Sequence, residues 1–117
     1  MQKYICKKTF LVVVSAYNVE EDKLNWSEWL DFDRSNIASI VPEISGVYKL
    51  HASMKILYIG SSDQNLRQSL LDCFSDPCIS KARRFSYATT ESADETKEQL
   101  LIEYRSKHSG KLPMCME

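Results

Sequence analysis

The sequence predicts one α/β domain of the α+β kind: a small sheet of three antiparallel strands flanked by helices over residues 44–117, with an N-terminal extension over 1–43 packed on it. Three observations carry this prediction. Gly46–Leu50 and Lys55–Gly60 are β-rich runs joined by a short polar stretch around Ser53, which makes a hairpin. Leu66, Leu70, Cys73 and Phe74 form an apolar stripe at helical spacing that stops before Pro77. Leu100, Leu101 and Tyr104 repeat at helical intervals until Gly110.

Taken in order, Thr9 to Tyr17 reads as a buried strand ended by the acidic turn Glu20-Glu21-Asp22. Lys3, Lys7 and Lys8 before the run Phe10 to Ala16 imitate a secretory signal. The run's β-branched character and its shortness favour a strand instead. Asn25 to Leu30 suggests a short helical turn, with Trp26 and Trp29 both turned to the core, and Arg34 to Val41 suggests a second stopped by Pro42. Alternation along the hairpin puts Tyr48 on one face with Gly46 and Leu50, and Tyr58 with Ile56 and Gly60. Ser61, Ser62 and Asp63 are N-cap candidates for a helix over 64–75. Arg83 to Thr90 alternates as a half-buried third strand, with its basic positions facing outward. Ser92 and Glu95 have the capping-box spacing at the start of a helix over 93–108.

At 117 residues, 44% hydrophobic and 26% charged, the chain has the composition of a globular domain, and no apolar run approaches the roughly 18 residues of a membrane span. Cys6, Cys73, Cys78 and Cys115 are too scattered for a zinc site or a disulfide scaffold, so they are expected as reduced thiols in a cytoplasmic protein. The net charge of −1 gives no blanket affinity for polyanions, but residues 46–90 carry six basic and three acidic side chains. That middle stretch is the expected polyanion-facing part. On the last helix Glu98 projects between Leu101 and Ile102, on the shoulder of the apolar stripe.

Gly46-Val47-Tyr48, then Tyr58-Ile59-Gly60, then Asn65-Leu66-Arg67, then Glu98 ahead of Leu101-Ile102 stand in the order in which the GIY-YIG nuclease superfamily carries its landmarks, and the sequence resembles that family over about two thirds of its length. The resemblance implies hydrolysis of DNA phosphodiester bonds by an activated water. Tyr48 and Tyr58 would position or deprotonate that water, and Glu98 would bind Mg²⁺ or Mn²⁺, a hard cation suited to a carboxylate. The family's arginine falls two residues beyond Arg67, where this chain has Ser69; Arg67 takes the catalytic role only if the helix starts differently, and Arg83 or Arg84 is the other source of cationic charge. Losing one preorganised donor costs about 2.7 to 4 kcal/mol of transition-state stabilisation, so weakened activity is expected. The family's closing asparagine is also missing, with Met116 or a neighbour in its place. The rival expectation is a non-catalytic nucleic-acid-binding module in which Lys55, Arg67, Lys81, Arg83 and Arg84 contact phosphates without hydrolysis.

Overall fold

The computed structural model describes residues 24–117, so the expected strand Thr9–Tyr17, its acidic turn and Cys6 lie outside the described residues. It is an α+β structure with an open antiparallel sheet of four strands rather than three: β1 Leu30–Asp31, β2 Gly46–Ala52, β3 Lys55–Ser62 and β4 Arg84–Thr89, in the order β1-β4-β2-β3. The added strand comes from the segment expected to form a helical turn. Residues 25–29 contain no helix and run beside β4, where the Ser27 amide donates to the Tyr87 carbonyl at 2.9 Å. Exposed edge backbone of β4 is paired in this way, and two residues suffice to continue the ladder.

Helix α1, Arg34–Ile40, starts at Asp33, whose carboxylate accepts from the Asn36 amide at 2.8 Å, and ends at Val41 before Pro42. Helix α2 is shorter than expected, Leu66–Asp72, and continues as a 3₁₀ turn over Cys73–Ser75. Its N-cap is Asn65 rather than Ser61, Ser62 or Asp63, although Ser62 Oγ accepts from the Asn65 amide at 2.9 Å. Helix α3 spans Ala93–Lys107, and Ser92 caps it without a side-chain hydrogen bond, so the capping box does not form. Asp94 and Glu95 in its first turn and Arg105 and Lys107 in its last complement the helix dipole.

The central strand β2 pairs with β3 and β4, with Tyr48 opposite Gly60 on one side and Tyr87 on the other. Alternation divides the core into two layers. Tyr48, Leu50 and Phe85 pack with Ile37, Val41, Leu66, Leu70 and Cys73 under α1 and α2. Val47, Ile59 and Ala88 pack with Leu100, Leu101 and Tyr104 of α3 on the other face. Full burial of each large apolar side chain contributes about 1.5–3 kcal/mol.

Both expected glycines have a packing reason. A Cβ on Gly60 would come within 2.5 Å of the Tyr48 ring and 2.6 Å of the Tyr58 ring, and one on Gly46 would meet Leu66 Cδ1 at 2.5 Å and the Ala88 carbonyl. Cys78 and Cys115 form a disulfide, contrary to the expectation of reduced thiols. The chain after α3 returns along β3 and brings its last 3₁₀ turn, Met114–Met116, beside the sheet, so two residues 37 positions apart meet. Cys73 remains a buried thiol. Among the described residues no helix is long and apolar enough to cross a membrane.

Candidate functional site

Two regions hold the residues singled out by sequence. The first is the α1/α2 layer, where the rings of Tyr48 and Tyr58 lie with centroids 6.1 Å apart. The alternation that places both phenols on one face follows from the register, because Tyr58 stands opposite Leu50 and Gly60 opposite Tyr48. Tyr48 is only 3% exposed. Its hydroxyl lies 2.8 Å from Ser69 Oγ and 3.8 Å from Cys73 Sγ. Burial, reinforced by the neighbouring Cys73, raises the Tyr48 pKa, and burial likewise raises that of Tyr58. These phenols are therefore neutral hydrogen-bonding groups at physiological pH.

Ser69 does occupy the helical position that faces Tyr48, whereas Arg67 points away from it. Arg67 Nε donates to the Val41 carbonyl at 2.9 Å and its Nη1 lies 3.5 Å from Glu43, which ties α2 to the end of α1. Glu98 belongs to the other layer. It is exposed on α3, the helix packed against Val47, Ile59 and Ala88, while Tyr48 faces α2 across the sheet. The structure thus brings Tyr48 and Tyr58 together and brings neither Arg67 nor Glu98 to the Tyr48 hydroxyl.

The second region is the end of the sheet where the β2–β3 hairpin turns. Ala52 pairs with Lys55, His51 pairs with Arg84, and the Arg83 amide donates to the His51 carbonyl at 2.9 Å. Lys81 closes the 3₁₀ turn Ile79–Lys81 just ahead of β4. All four basic residues are exposed, and residues far apart in the sequence share one rim because the start of β4 lies against the end of β2. Arg84 is partly neutralised by Asp31 of β1, with Nε 3.0 Å from Oδ1. An exposed pair of this kind stabilises by at most about 1 kcal/mol, leaving the guanidinium available to exchange partners.

Sequence reasoning missed two members of this rim. Trp29, expected in the core, is 43% exposed, and its ring centroid lies 5.0 Å from that of His51. Extended backbone explains the difference, since Trp26 and Trp29 then point to different surroundings: Trp26 packs into the α3 layer and carries Lys49 Nζ 4.5 Å over its ring. The one available signal was the run of turn and charge residues around Trp29, which favours an edge position.

Compared with models of known protein families and with curated proteins, the sequence matches none of them.

Proposed function

We propose that this chain is a DNA-binding module of GIY-YIG-like architecture that holds nucleic acid without cleaving it. The observation that carries this reading is the convergence of Lys55, Lys81, Arg83 and Arg84, all exposed, on one rim of the sheet, which groups cationic side chains of the kind that hold backbone phosphates. Hydrolysis is disfavoured by the geometry of the donors. A Mg²⁺ or Mn²⁺ ion held by Glu98 would sit on the α3 side, the Tyr48 hydroxyl is engaged by Ser69 on the α2 side, and the arginine expected near it is absent. These residues do not fit one metal-centred site.

Fluorescence anisotropy with a labelled oligonucleotide across a salt series tests the proposal. The expected result is binding whose logarithmic salt slope becomes shallower when Lys55 and Arg83 are replaced by alanine, by about 0.7–0.9 per lost phosphate contact. Absence of binding at low salt, or binding indifferent to both substitutions, overturns it. Plasmid nicking in Mg²⁺ or Mn²⁺ that disappears in both Glu98→Ala and Tyr58→Phe would establish the nuclease reading instead, which the close pairing of Tyr48 and Tyr58 favours.

A further inference from the structure

We infer that the rim recognises unpaired DNA, with one base stacked on the Trp29–His51 ring pair and the adjoining nucleotide lying in the groove beyond Lys55. This inference rests on the DNA-binding reading and narrows it to a substrate class. Trp29 is a large apolar ring left 43% exposed and only 5.0 Å from His51, at the point where the rim cations gather. His51 is bound on its backbone to Arg83 and paired in register with Arg84, so two arginines, one of them paired with Asp31, start from backbone next to these rings. Base–aromatic stacking tolerates any sequence but needs an unstacked base, which a duplex does not present.

The path continues across the hairpin. Ile56, the register partner of His51, lines a groove of about 480 Å³ together with Met54, Lys55, Tyr104, His108 and Lys111. That volume falls in the range of small-ligand sites. Met54, 90% exposed, and the stacked Tyr104–His108 pair, 3.8 Å between centroids, supply apolar and aromatic surface there. Lys55 and Lys111 supply cations, and Glu117 is the acidic residue on the groove wall. The two aromatic pairs, linked across the hairpin by Ile56 and bordered by Lys55 and Lys111, form a stacking platform with cations at its margin.

Anisotropy with a labelled oligothymidine and a duplex of equal length, at the same salt, provides the test. The single strand is expected to bind more tightly, Trp29→Ala is expected to lower the single-strand to duplex affinity ratio about tenfold, and Trp29→Phe is expected to retain most of it. Circular dichroism of each variant checks that the fold persists. An unchanged ratio in Trp29→Ala overturns the inference while leaving the DNA-binding reading intact, provided Lys55→Ala and Arg83→Ala still weaken binding. Failure of the unmodified chain to bind either oligonucleotide overturns both.

Discussion

Ser69 Oγ lies 2.8 Å from the hydroxyl of Tyr48, joining helix α2 to the central strand through a part-buried contact between two neutral groups. The position to which the resemblance assigns a cation holds a hydroxyl matched to a buried phenol.

Replacing Ser69 by alanine takes from the Tyr48 hydroxyl its partner at 2.8 Å and leaves it beside the weak Cys73 thiol and the Tyr58 phenol. The expected loss is about 1–3 kcal/mol, the cost of an unsatisfied buried donor, and denaturant unfolding measures it. Tyr48→Phe removes the hydroxyl itself and is expected to cost less, about 0.5–1.5 kcal/mol. Ser69→Arg is expected to produce no plasmid nicking in Mg²⁺, because Glu98 stays in the other layer.

Gly60→Ala forces a methyl group into the Tyr48 and Tyr58 rings. Overpacking of this kind costs about 1–3 kcal/mol. Thermal unfolding is expected to drop by several degrees or more, and an unchanged midpoint would mean that the rings repack without strain.

Stability is expected to decline in alkali. Burial pushes the Cys73 thiol up to about 11 from an ordinary value of 9.0, and raises Tyr48 as well. Both groups lose protons at lower pH in the unfolded chain than in the folded one, so the unfolded state gains on the folded state once pH passes about 9. The contribution of Cys73 is present below pH 9 and is lost as pH rises through about 11. Chemical denaturation from pH 7 to 11 checks the direction, and Cys73→Ala is expected to flatten the profile.

Joining Cys78 to Cys115 closes a loop across 37 positions. Chain-entropy arguments give such a crosslink about 4 kcal/mol of stabilisation. Reduction, or Cys115→Ser, is expected to lower the unfolding midpoint accordingly. Mass spectrometry of the alkylated native chain should find this pair protected.

Much of the fold was legible in the chain because its signals are local. Alternation along Gly46–Leu50 and Lys55–Gly60 grouped Tyr48 with Leu50 and Tyr58 with Gly60, whereas the register, shifted between Leu50 and His51, brings both phenols to one face and sends Ile56 to the other; the helical repeat of Leu100, Leu101 and Tyr104 located α3 to within a residue at either end. Trp26 and Trp29 misled, since a spacing of three fits a helix as well as an irregular edge segment. The edge strand Leu30–Asp31 is stabilised by backbone pairing to β4, which side-chain patterns do not encode. The disulfide escaped notice because separation along the chain says nothing about a return path.

Residue order alone determined where the β2–β3 hairpin, β4 and the three helices lie to within a few residues, and that basic groups crowd the middle of the chain. Tertiary structure decided which layer each helix joins and which end of the sheet each loop reaches. That is why Glu98 stands across the sheet from Tyr48, and why Lys55, Arg84 and Trp29 share a rim. Periodicity is a property of neighbours a few residues apart, whereas the choice of layer follows from how the connections cross a sheet whose central strand pairs on both edges.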